Sequence, residues 1–170
     1  LSEYKDVLGA FDFLKNLGFA DNEIGLHGIS LGAASVIFAA QNEPRIRAIW
    51  SDSSIAEFNM ILKDEINRYG MPYIFGPTVS FAGKILTGID PTKLSPSYSL
   101  TNSQNYFFTH GEKDQRVLPK HFNFIKKYVD QNNINADFWF VKDTYHVDAM
   151  LKYPDEYGLK MKNFFEKYLK

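Results

Sequence analysis

The 170-residue sequence contains no cysteine, which excludes disulfides, thiolate nucleophiles, iron–sulfur clusters and cysteine-bound zinc together. It has no surplus of either charge. Lys and Arg number 19 and Asp and Glu 20, a formal net charge of −1. A nucleic-acid binder needs a basic excess to meet phosphates, so no nucleic-acid partner is expected. No apolar run approaches the ~20 residues of a membrane-spanning helix. Histidine is scarce, with four in the chain, and none stands in an HExxH or comparable ligand spacing. Neither a metal nor another cofactor is expected. None of these absences identifies a compartment.

What remains is an ordinary globular composition, 45% hydrophobic and 16% aromatic, long enough for one domain with a proper core. Residues 2–17 read as an amphipathic helix, because Tyr4, Val7, Leu8, Phe11 and Leu14 recur at helical spacing between Ser2 and Gly18. A short strand over 24–27 leads into an Ala-rich helix, 31–41, which Pro44 stops. A second strand over 46–50 precedes the polar cluster Ser51, Asp52, Ser53 and Ser54. Residues 55–69 read as a helix, after which Gly70, Pro72, Gly76, Pro77, Gly83 and Gly88 interrupt an apolar segment. Residues 55–90 are therefore expected as a small cap-like insertion over the sheet, within a single domain spanning 1–170. Strands over 105–109 and 136–141 flank a helix over 119–131. The last helix, 155–169, places Met161, Phe164, Phe165, Tyr168 and Leu169 on one face. Strands alternating with helices predict an α/β fold, a parallel sheet covered by helices on both faces.

Gly28-Ile29-Ser30-Leu31-Gly32 matches G-x-S-x-G between an apolar strand and a helix, the setting of a nucleophile elbow. Two glycines leave room for a sharp turn that projects the Ser30 hydroxyl from the sheet. The same turn puts Ser30 at a helix N-terminus, where the Leu31 N–H can face a developing oxyanion. A serine hydroxyl needs a base. His27 precedes the elbow and reads as a packing residue of its strand. His110 ends a strand and reads as a hydrogen-bonding support for the loop that follows. His121 lies in the first turn of a helix. His146 alone sits in a loop between a strand and a helix, at the carboxyl edge shared with the elbow. The orienting acid should come from the same edge, and Asp114 in His110-Gly111-Glu112-Lys113-Asp114 is the best placed. Asp52, after the second strand, is its rival, and otherwise a solvated or capping carboxylate. Asp143 and Asp148 stand too close to His146 in sequence to orient its ring easily.

GISLGAAS, HGEKDQRV and the late His146 resemble the catalytic half of the α/β-hydrolase superfamily, nearest its prolyl-oligopeptidase-like and dienelactone-hydrolase-like esterase branches. The order Ser30, Asp114, His146 is the one that superfamily uses. The resemblance implies a serine hydrolase without a cofactor, cleaving a small-molecule ester or a peptide through an acyl-enzyme on Ser30. It also implies further strands upstream of Leu1, with a loop supplying a second oxyanion N–H. Carboxylesterase is the leading expectation, because the insertion is apolar and no charged specificity pocket can be read. A prolyl-oligopeptidase-like peptidase, with another domain upstream, and a non-catalytic hydrolase-like binding module are the alternatives. The apolar side chains of 55–90, Phe58, Ile61, Tyr73, Phe75, Phe81 and Leu86 among them, suit either a lid and acyl pocket or plain packing against the sheet.

Overall fold

A computed structural model describes residues 2–88 and 90–170. Helix α1 (Tyr4–Asn16) is followed by β1 (Leu26–Ile29), α2 (Leu31–Asn42) and β2 (Ala48–Asp52). Then come α3 (Phe58–Arg68), α4 (Gly76–Thr87), β3 (Asn105–Gly111), α5 (Lys120–Asn132), β4 (Ala136–Val141), the one-turn α6 (Ala149–Lys152) and α7 (Pro154–Tyr168). The four strands form one sheet in the order β1-β2-β3-β4, every neighbouring pair parallel. This is the α/β architecture the sequence predicts. No helix among the described residues is long and apolar enough to cross a membrane.

Two apolar cores account for the layers. On one face α1, α2 and α5 send Phe11, Ile37, Phe122, Ile125 and Val129 against Ile49, Tyr106 and Phe108. Helix α2 is buried from Ala33 to Ala40; its small side chains let it lie close to β1 and β2 with α1 on its outer side. On the other face α7 brings Tyr157 and Phe164 onto Trp50 and Phe107, and the Trp50 and Phe107 rings stack 3.9 Å apart.

The strand ends differ from the sequence reading in one direction. The strand expected over 24–27 is Leu26–Ile29, that over 46–50 is Ala48–Asp52, and that over 105–109 continues to Gly111. In each case the polar or glycine residues taken for the following loop belong to the strand. The register pairs Gly28 with Ser51, Ile29 with Asp52, and Asp52 with Thr109. Backbone bonds carry the ladders one residue further, from Ser30 N–H to the Asp52 carbonyl (2.8 Å), Ser53 N–H to Thr109 (2.9 Å) and Glu112 N–H to Val141 (2.9 Å).

The insertion also departs from expectation. Its glycines and prolines do not leave an irregular segment but punctuate a second helix: Pro77 lies in the first turn of α4 and Gly88 closes it with φ 69°. Helix α3 is anchored by Asp64, which pairs with Lys120 and accepts from His121 Nε2 (3.2 Å), while His121 Nδ1 accepts the Ala56 N–H (3.0 Å). Arg68 adds bonds to the carbonyls of Gln115 and Arg116 (2.6 and 2.9 Å). Helix α4 packs on α3 and the turns beside it, and of its residues only Gly76 is buried. Plain packing against the sheet is therefore not what its apolar side chains do.

Candidate active site

The elbow is built from the backbone outward. β1 runs straight into α2 with Ser30 alone between them, at φ 52° and ψ −116°. This is a left-handed conformation that a non-glycine residue adopts only at a cost on the order of 1–3 kcal/mol. Gly28 makes the turn possible, because a Cβ there would overlap the Gly32 carbonyl. Gly32, in contrast, faces open space, so of the two glycines only the first is sterically required.

Two further loops meet the elbow at the carboxyl edge. After β3, Asp114 is 2% exposed, and its Oδ1 accepts the N–H groups of Arg116 (2.8 Å) and Val117 (2.9 Å). After β4, His146 places Nδ1 2.8 Å from Asp114 Oδ2 and Nε2 2.9 Å from Ser30 Oγ. The partners assign the tautomer: Nδ1–H donates to the carboxylate, and Nε2 accepts the Ser30 hydroxyl. The two loops are joined to each other by Lys113 with Asp143 (2.6 Å) and by the Asp143 N–H to Glu112 (3.1 Å). Gly111 permits that closeness, since a Cβ would overlap the carbonyls of Thr144 and Tyr145. Burial alone would raise the Asp114 carboxyl. The bonds from His146 and the Val117 N–H, with the charges of His146 and His110, outweigh it and hold the group below the usual carboxylate range. Asp114 is thus an anion beside an imidazole that can accept a hydroxyl proton.

The model of the prolyl oligopeptidase family matches residues 2–170. The chain belongs to that family. No curated protein matches it in sequence. Among solved structures it is similar to an esterase from Pyrococcus furiosus, with 18% identity and a TM-score of 0.74 over 99% of this chain and 63% of the esterase. It is also similar to an acylaminoacyl peptidase from Pyrococcus horikoshii, with 20% identity and a TM-score of 0.75 over 100% of this chain and 28% of the peptidase. A puromycin-hydrolyzing peptidase from Mycobacterium tuberculosis gives 15% identity and a TM-score of 0.72, over 98% of this chain and 25% of that one. The chain therefore spans less than two thirds of each of these relatives, and the likeness shows a shared fold.

The prolyl oligopeptidase fold brings together Ser30, Asp114 and His146, and sets Leu31 at the N-terminus of α2. It does not bring Asp52 to His146. Asp52 is 1% exposed, neither solvated nor capping, and its carboxylate accepts from Ser53 Oγ (2.9 Å) and Tyr157 OH (2.9 Å). His27 packs outside the apolar core: the residue is exposed overall, but its ring meets Tyr157 edge-on, with Nε2 3.1 Å from the hydroxyl. His110 is buried and reaches the Val117 carbonyl from Nε2 at 2.8 Å. Beside Ser30 opens a cavity of about 310 Å³, lined by Leu31, Ile55, Phe58, Ile61 and Val117, with Glu65 and Arg116 also in its wall. Among the described residues no three His, Asp or Glu side chains converge as metal ligands would. Sequence reasoning missed Gly111, whose signal was a glycine directly after a strand-ending histidine, and Arg68, which carried no signal at all.

Proposed function

We propose that this chain carries the acyl-transfer site of a serine hydrolase, cleaving a carboxylic ester with an apolar acyl group. The observation that carries the reading is the unbroken hydrogen-bonded series Asp114–His146–Ser30, at a strained serine that opens a helix beside an apolar cavity. Ser30 Oγ attacks the carbonyl carbon while His146 Nε2 takes the hydroxyl proton. The oxyanion so formed faces the Leu31 N–H at the positive end of α2. Collapse of the tetrahedral intermediate expels the alcohol, which receives the proton back from Nε2. Water then repeats the sequence on the acyl-enzyme. Asp114 holds the imidazole tautomer and supports its cation throughout. Phe58, Ile61 and Ile55 offer the acyl chain an apolar wall, the part of the insertion that acts as a cap. Family membership supports a second reading, in which the scissile bond is an amide.

A fluorophosphonate probe on the intact protein tests the nucleophile. It should label Ser30, and Ser30→Ala should abolish labelling and lower turnover by ~10⁴-fold or more. Stoichiometric labelling of Ser30→Ala at another residue would overturn the assignment, and absence of labelling in the wild type would favour a non-catalytic module. The ratio of kcat/KM for a p-nitrophenyl ester to that for an acyl-aminoacyl anilide separates esterase from peptidase.

A further inference from the structure

The same two residues, Asp52 and Ser53, hold the elbow on one side and the histidine loop on the other. The main-chain carbonyl of Asp52 accepts the Ser30 N–H at 2.8 Å, so the strained serine is pinned to the end of β2. Ser53 Oγ, wholly buried, donates to Asp52 Oδ1 at 2.9 Å and accepts the Val147 N–H at 3.4 Å. Val147 directly follows His146 and has φ 57°, a left-handed conformation especially costly for a β-branched residue. Ser53 itself has φ 55° and donates its N–H to Thr109. All three strained residues, Ser30, Val147 and Ser53, are thus held by bonds to the Asp52–Ser53 pair or to its neighbouring strand. The other carboxylate oxygen is fixed by Tyr157 OH of α7, which in turn accepts from His27 Nε2 in β1.

We propose that Asp52 and Ser53 are positioning residues: together they set where His146 Nε2 lies relative to Ser30 Oγ. This rests on the reading of Ser30 as nucleophile and His146 as base. The geometry gives each atom of the pair one task. The Asp52 carbonyl fixes the nucleophile's backbone, and its carboxylate orients the Ser53 hydroxyl so that the oxygen lone pair faces Val147. The Ser53 hydroxyl then holds the peptide next to the base. A displacement of about 1 Å in such a constellation costs up to ~10²-fold in rate. The Asp52 carboxylate also interacts electrostatically with His146 and Asp114, and burial raises it above the usual carboxylate range in spite of its bonds from Ser53 and Tyr157. Replacing it by a neutral amide removes a negative charge from the surroundings of the triad.

Ser53→Ala and Ser53→Gly test the hydroxyl. Alanine keeps the backbone strain, whereas glycine relieves it and so guards against misfolding. Both should lower kcat for a p-nitrophenyl ester by about tenfold with KM within about twofold, and both should slow fluorophosphonate labelling alike. Asp52→Asn should do the same and, in addition, move the acid limb of the kcat/KM profile to lower pH, which a merely structural role would not. The Asp52→Asn/Ser53→Ala pair should be no slower than the slower single variant, because both cut one relay. Multiplying losses, wild-type kcat in both serine variants, or full activity in Ser53→Gly alone would each overturn the proposal. Ser30→Ala in the same series separates the two levels. If it stays active the nucleophile reading has failed; if it is inert while Ser53→Ala and Ser53→Gly match wild type, only the positioning role has failed.

Discussion

The carboxyl edge of the sheet and the α3–α4 arm reverse the usual distribution of side chains in opposite senses. At the edge, polar groups are enclosed: Asp52, Ser53, His110, Asp114 and Thr144 are all buried, and each has a hydrogen bond. On the arm, apolar groups are exposed, with Ile74 at 79%, Leu86 at 83%, and Phe81 and Ile85 near two thirds. Buried polar groups and large exposed apolar surfaces are the two departures from ordinary packing that carry information. The edge bears the cost of desolvation because its groups must meet one another at fixed distances. The arm has no such demand beyond the few residues of α3 that line the Ser30 cavity, and it is held by anchors rather than by a core of its own. Precision and tolerance should separate along the same boundary.

The largest effect that would sharpen this contrast comes from Asp114→Asn. It should lower kcat by up to ~10⁴-fold by stabilising the wrong histidine tautomer while leaving the circular dichroism spectrum unchanged. A loss of tenfold or less would mean that the edge is not built around this carboxylate. Gly28→Ala comes next. With its Cβ driven into the Gly32 carbonyl, the elbow must shift, costing about 2–4 kcal/mol in urea unfolding and most of the fluorophosphonate labelling.

The third prediction concerns the arm's anchor. Burial lowers His121 to about 4, against 6.5 for the free side chain, despite its bond to Asp64. The unfolded chain therefore binds the proton first. The stability contributed by neutral His121 is present above pH 6.5 and is lost as the pH falls toward 4, by up to about 3 kcal/mol. Urea unfolding across that range should show the decline, and His121→Gln should flatten it. An unchanged slope in His121→Gln would show that the anchor does not titrate. The smallest effect belongs to α4: Leu86→Ser should change stability by no more than about 0.5 kcal/mol. A loss comparable to a core truncation would break the comparison, placing Leu86 in a packed environment.

Much of this was legible in the sequence because apolar periodicity reports which face of an element meets a core. Helices α1 and α7 follow from it, α2 from its alanine content before Pro44, and the parallel sheet from the alternation of strands with helices. The residues Ser30, Asp114 and His146 were legible as candidates from the loops that bear them. The strand ends were not. Ser51 and Asp52, or Gly111, look like loop residues by composition, but they sit in the ladder, where their backbones pair with the neighbouring strands. Helix α4 was hidden for a related reason: Gly76, Pro77 and Gly88 are read as breakers, whereas at helix ends they act as start and stop. Asp52 was misjudged because one sequence holds no sign that Tyr157, 105 residues away, would supply its partner.

The uninterrupted strand order has a consequence for how the molecule comes into being. Because each described strand after β1 pairs with the one made just before it, this part of the sheet can grow by single βα units as the chain is synthesised. Ser30 belongs to the unit formed by β1 and α2. The imidazole hydrogen-bonded to it lies 116 residues further on, in the loop between β4 and α6. The hydrogen-bonded series Asp114–His146–Ser30 is therefore closed only once the unit that contains β4 has been added.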